Sequence, residues 1–84
     1  MTECLLTCRS MTYAQRAARA LERAGLRGYV TKLKNAFSQE GCTYGVLTLE
    51  KTLPSAMELL RGAELAPKKV YRALDNDEYE ELRL

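Results

Sequence analysis

The stretch Glu3-Cys4-Leu5-Leu6-Thr7-Cys8-Arg9-Ser10-Met11-Thr12-Tyr13-Ala14-Gln15 decides how this chain of 84 residues folds. Its first half has a period of two. Cys4, Leu6 and Cys8 fall on one side, Leu5 and Thr7 on the other, which predicts a strand from Glu3 to Arg9. Its second half changes period. Thr12-Tyr13-Ala14-Gln15 fits a capping box, with Thr12 opening a helix and Gln15 reaching back to it. Tyr13, Ala17, Ala20, Leu21 and Ala24 then recur at helical spacing and predict the buried stripe. Gly25 suits the C-terminal cap.

Working outward, Arg27 to Leu33 is rich in Tyr, Val and Thr and predicts a second strand. Lys34 to Cys42 carries Asn, Ser and Gly and predicts a loop. Thr43 to Glu50 predicts a third strand, with Leu47 and Leu49 on one face and Val46 and Thr48 on the other. Leu53 to Arg61 predicts a second helix. Pro54 fits its first turn, Leu53, Ala56, Met57 and Leu60 form its apolar stripe, and Gly62 can end it. After Pro67, Lys69 to Leu74 predicts a fourth strand, with Val70, Arg72 and Leu74 alternating against Tyr71 and Ala73.

The resulting order is β-α-β-β-α-β, an α+β fold of the ferredoxin-like split βαβ type. Right-handed crossovers bring it to an antiparallel four-stranded sheet of order 4-1-3-2 with both helices on one face. Residues 1–74 are expected to form a single domain. Residues 75–84 hold five acids and one Arg and are expected to be an acidic C-terminal tail. That tail reads as a solvated, disordered terminus, as an acidic docking segment, or as a short helix capped by Asn76 that packs Tyr79 and Leu82.

Composition narrows the function. Hydrophobic residues make up 46%, which fits a folded globular chain. No apolar run approaches the ~20 residues that cross a bilayer, and the first residues lack the pattern of a secretory signal. The net charge of +2 does not by itself announce a nucleic-acid binder. It is unevenly spread, +4 over residues 1–47 and −2 over residues 48–84. The absence of histidine removes the commonest general base and metal ligand, so Ser-His-Asp and Cys-His catalysis cannot be built from this chain alone. With little room for an enclosed pocket, an independent enzyme is the weakest class. No cofactor is implied.

The three cysteines stand at 4, 8 and 42. They form no C-x-x-C pair and no spacing that suggests a metal site. Cys4 and Cys8 lie about 13 Å apart along a strand, too far for a disulfide, and are expected to pack in the core. An odd count without a disulfide framework suggests a reducing, cytoplasmic compartment. Arg16, Arg19, Arg23 and Arg27 form a row on the first helix that reads as a solvated face, or as a docking face for an acidic protein or RNA. RNA recognition by the sheet is disfavoured, because the first strand has no aromatic residue and the third has only Tyr44 at its edge.

The topology places the turn Arg9-Ser10-Met11-Thr12 and the loop 34–42 at the same end of the sheet. Cys42 therefore becomes the candidate reactive thiol. The first helix would turn its positive N-terminal end toward it, Arg9 would add charge, and Gly41 would leave the sulfur accessible. The alternative is a small buried hydrophobe at the start of the third strand.

Leu5-Leu6-Thr7-Cys8-Arg9-Ser10-Met11-Thr12-Tyr13-Ala14, a helix ending in Ala24-Gly25-Leu26, and then Gly41-Cys42 together resemble the small selenium/sulfur carrier-like proteins, the DUF3343 family. The resemblance covers residues 3–74. Cys8 stands where an aromatic residue is common, and Thr43 follows Cys42 where Gly is common. The resemblance implies a carrier with Cys42 as the acceptor of sulfur or selenium, and Ser10 and Thr12 as polar groups of the facing turn. Its partners would be donor and acceptor proteins. A homodimer through sheet edges is compatible with this, as is a non-catalytic interaction or regulatory module without thiol chemistry.

Overall fold

The computed structural model describes residues 2–33, 44–75 and 78–83. The elements run β1 (Glu3–Cys8), α1 (Met11–Arg23), β2 (Tyr29–Lys32), β3 (Tyr44–Leu49), a 3-10 turn (Glu50–Thr52), α2 (Leu53–Gly62), β4 (Lys69–Ala73) and β5 (Tyr79–Leu82). The fold is α+β, one antiparallel sheet with two helices. Its strand order is β2-β3-β1-β4-β5. The expected four-stranded sheet of order 4-1-3-2 is corrected by the fifth strand, which pairs outside β4.

β5 also corrects the expected tail. Residues 79–82 are a strand, not a short helix. Arg72 faces Glu80 and Val70 faces Leu82, so the β4–β5 pairing joins opposite charges and apolar residues across the strands. Leu82 packs against the core from there. Asn76, the expected cap, lies outside the described residues.

Cys4, Leu6 and Cys8 from β1 share one core with Val46, Val70, Ala14, Ala17, Ala18, Leu21, Leu53, Ala56, Met57 and Leu60. Both helices therefore cover the same face of the sheet. The four expected stripe residues of α2 are all buried. In α1 the stripe is rotated from the expected one: Ala14, Ala17, Ala18 and Leu21 are buried, Tyr13 and Ala20 are partly buried, and Ala24 is exposed. An alanine-rich helix offers little contrast between faces, and Leu21 is the one large residue that sets its rotation.

Both helices end in left-handed residues. After α1, Gly25 has φ 77° and the Leu26 N–H reaches the Leu21 carbonyl at 2.8 Å. After α2 the same 2.8 Å bond runs from the Leu65 N–H to the Leu60 carbonyl, but the left-handed residue is Glu64, φ 59°. Gly62, the expected stop, is the last helical residue.

On the opposite face, Leu5 and Thr7 are buried, and among the described residues neither helix covers that face. Tyr29, Leu47, Leu5 and Tyr71 stand side by side across four strands. Gly45 opens room beside them. A Cβ there would lie 2.8 Å from the Leu6 carbonyl oxygen, 3.0 Å from Leu33 Cδ2 and 3.1 Å from Leu5 Cδ1. Leu5 and Leu33 approach one another over that bare backbone.

Candidate functional site

Arg9 and Ser10 join β1 to α1. Ser10 is extended (φ −157°, ψ 167°), and its Oγ accepts the Tyr13 N–H at 3.2 Å. Its carbonyl accepts the Ala14 N–H at 3.0 Å. Ser10 is thus the N-cap, and the helix starts at Met11. This corrects the expected capping box: Thr12 is an exposed residue inside the first turn, not the residue that opens the helix.

Arg9 is exposed, and its guanidinium carbon sits 4.7 Å from the centroid of the Tyr13 ring. The stacking holds a cation beside the N-terminus of α1. The first turn of α1 carries no acidic residue, so nothing in that turn neutralises the positive helix end.

Strand register defines what else adjoins this turn. Cys8, the last residue of β1, faces Tyr44, the first of β3, and Tyr44 also faces Lys32, the last of β2. The end of β1, the end of β2 and the start of β3 therefore meet at one end of the sheet. Cys42 and Gly41, as well as Lys34, lie outside the described residues. Among the expected site residues, Arg9, Ser10 and Thr12 are brought together at the turn. Lys32, exposed at the same end, is a cation that sequence reasoning passed over.

The other two cysteines are buried in the core and are not in disulfides. Cys8 Sγ donates to the Leu6 carbonyl at 3.7 Å. Burial pushes the Cys4 thiol above its ordinary range. The nearby Glu50 carboxylate adds to that rise, and Arg72 opposes it. Neither sulfur is suited to meet a partner protein. Among the described residues no group of His, Cys, Asp or Glu is arranged to hold a metal ion, and no helix is long and apolar enough to cross a membrane.

Comparison with known protein families, with curated proteins and with solved structures found no match.

One polar cluster escaped sequence reasoning. Arg72 Nε donates to Glu50 Oε2 at 2.6 Å, and its Nη1 donates to Glu80 Oε1 at 2.8 Å. Glu50 raises the Arg72 pKa further above its already high range, chiefly through this hydrogen bond. The sequence signal was an Arg at a position that alternates with Val70 on the helix side of β4. The arrangement ties strands together, and no exposed nucleophile adjoins it among the described residues.

Proposed function

We propose that the chain is a carrier of sulfur or selenium, not an independent enzyme, and that Cys42 holds the cargo. The observation that supports this reading is the pairing of Cys8 with Tyr44. It seats the chain two residues after Cys42 beside the turn where Arg9 and the first N–H groups of α1 gather positive charge. Positive surroundings favour a thiolate and would stabilise the terminal anion of a persulfide. The burial of Cys4 and Cys8 removes both competing thiols.

The transfer is a thiol–persulfide exchange. The Cys42 thiolate attacks the outer sulfur of a donor protein's persulfide, the donor S–S bond breaks, and the donor leaves as a thiolate. Cys42 then carries S–S⁻, or S–Se⁻ from a selenium-loaded donor. An acceptor thiolate removes the outer atom in the same way, so no external oxidant or reductant is needed. The buried Cys4 and Cys8 cannot resolve the persulfide, which makes transfer intermolecular. On this reading the sheet is a ferredoxin-like split βαβ unit extended by β5, and the chain works in the reducing cytoplasm as a member of the selenium/sulfur carrier-like family.

The test is loading by a cysteine desulfurase with free cysteine, read by intact-mass spectrometry. The expected result is a gain of one sulfur atom that alkylation traps and peptide mapping assigns to Cys42, absent from Cys42→Ser. A chain that gains no sulfur, or gains it equally without Cys42, overturns the proposal. The second reading, an interaction module without thiol chemistry, is favoured by the exposure of Tyr29 and Val30 on β2.

A further inference from the structure

Charge is sorted along the strands. The register puts the ends of β1, β2 and β5 and the starts of β3 and β4 at one end of the sheet: Tyr44 faces both Cys8 and Lys32, Thr7 faces Lys69, and Val70 faces Leu82. On those rungs or next to them stand Arg9, Lys32, Lys68, Lys69 and Arg83. Among the described strand residues the one carboxylate at this end is Glu81, 3.7 Å from Lys69. In the helix layer above, Arg61 and Glu64 at the end of α2 offset one another.

The far end has the opposite balance. Glu3, Glu50, Asp75, Glu78 and Glu80 lie there against Arg27, Lys51 and Arg72. Arg72 already takes up Glu50 and Glu80 within the chain.

The basic end also carries an apolar group. Met11 opens α1 two residues after Arg9 and is 47% exposed. Of the other large exposed hydrophobics, Tyr29 and Val30 lie on inner rungs of the sheet and Leu74 at the far end.

We propose that the basic end is a docking surface for an acidic loop or peptide of a partner protein, with Met11 as the apolar anchor and the cations as its rim. Lys32 on β2 and Lys68 before β4 are three strand spacings apart, about 14 Å, and Arg9 leaves β1 between them. An extended segment of about four residues spans that width. A flexible, polarisable Met ringed by charge has the make-up of a protein interface, an apolar centre inside a polar rim. Exposed charges add little affinity by themselves; they steer the partner and fix its orientation.

The same features select a peptide over nucleic acid. A phosphate backbone would meet the cations but leave Met11 uncovered. Bases would find no exposed ring to stack on, because Tyr13 and Tyr44, the aromatics at this end among the described residues, are partly buried. A second copy is disfavoured because Arg72 already occupies two of the acids it would offer. The inference goes beyond the reading of Cys42 and needs no sulfur chemistry.

Fluorescence anisotropy tests it, with a short labelled peptide in which Asp and Glu surround one Leu. The titrant is the full chain carrying Cys42→Ser, so this test and the loading test can fail separately. The expected result is binding that weakens as sodium chloride is raised. Arg9→Glu combined with Lys32→Glu should weaken it by roughly tenfold or more. Met11→Ala should weaken it by about fivefold. Arg27→Glu combined with Lys51→Glu makes the same charge change at the far end and should leave it within about twofold. All five residues are exposed, so these variants keep the core intact. No binding at about 1 mM chain, equal loss from the two charge reversals, or an unchanged Met11→Ala overturns the proposal. So does tighter binding of single-stranded DNA of matching length, or self-association of the chain that the peptide cannot displace.

Discussion

Arg72 and Glu50 clasp one another across β1. The residues stand on β4 and just past β3, and β1 runs between those strands. Cys4 lies between them in the ladder, paired with Arg72 on one side and Thr48 on the other. The same arginine reaches outward to Glu80, so it links the acidic C-terminal strand to the body of the sheet.

Replacing Arg72 with Met should therefore loosen β5 first. Backbone amides of Tyr79–Leu82 should exchange hydrogen faster in the variant, while those of α2 stay protected. Because these ion pairs are partly exposed, the difference should narrow at high salt. Equal protection of β5 in both proteins would refute this role.

At Gly45 even one methyl group is too much. The nearest obstacle is the Leu6 backbone oxygen of the central strand, which cannot swing aside as a side-chain tip can. Gly45→Ala should lower unfolding free energy by about 1–3 kcal/mol. A urea titration with unchanged slope and an earlier midpoint is the expected result.

Glu64 offers the opposite opportunity. It holds a left-handed conformation that costs a non-glycine residue about 1–2 kcal/mol, and glycine would relieve this at the expense of a more flexible unfolded chain. Glu64→Gly should stabilise the protein by roughly 0.5–1 kcal/mol net, seen as a higher melting temperature. An unchanged or lower value would contradict the assignment of Glu64 to that position.

The raised pKa of Cys4 has a definite sign. The folded chain keeps this proton to higher pH than the unfolded chain does. Its contribution to stability is thus complete below the unfolded value and is lost as pH rises above about 9. Stability should fall on the alkaline side, and Cys4→Ala should lessen that fall despite starting from a weaker core. Native-state alkylation of Cys4 should be slow at pH 8 and become fast only on unfolding.

What local sequence could announce was decided by periodicity. Leu53, Ala56, Met57 and Leu60 are apolar at helical spacing in a polar background, and α2 followed from them. The start of α1 was misplaced, because Thr12 with Gln15 fits a capping box while Ser10, which also carries a capping oxygen, has Tyr13 rather than Glu or Gln three residues on. The extended backbone at Ser10 settles it, and that angle is set by where β1 ends. β5 was illegible for a different reason. Five acids in ten residues read as a solvated tail, whereas the strand is held by pairing with β4 just before it, where Arg72 and Lys69 answer Glu80 and Glu81 and Val70 faces Leu82, a match of charge across the strands that alternation within 75–84 alone does not display. Of the candidate site, Arg9 and Ser10 were legible from the strand-to-helix change, and Thr12 was displaced by the shifted start. Cys42 and Gly41 lie outside the described residues, so what is fixed is the address of their neighbour Tyr44.

The unequal borders of the sheet govern how far association can go. A molecule with two sticky sides polymerises, as a bifunctional monomer does, whereas one with a single sticky side stops at a pair. The glutamates of β5 act as the chain terminator in that sense. Exchanging them for Val or Thr would remove that terminator and leave a second border open to another strand.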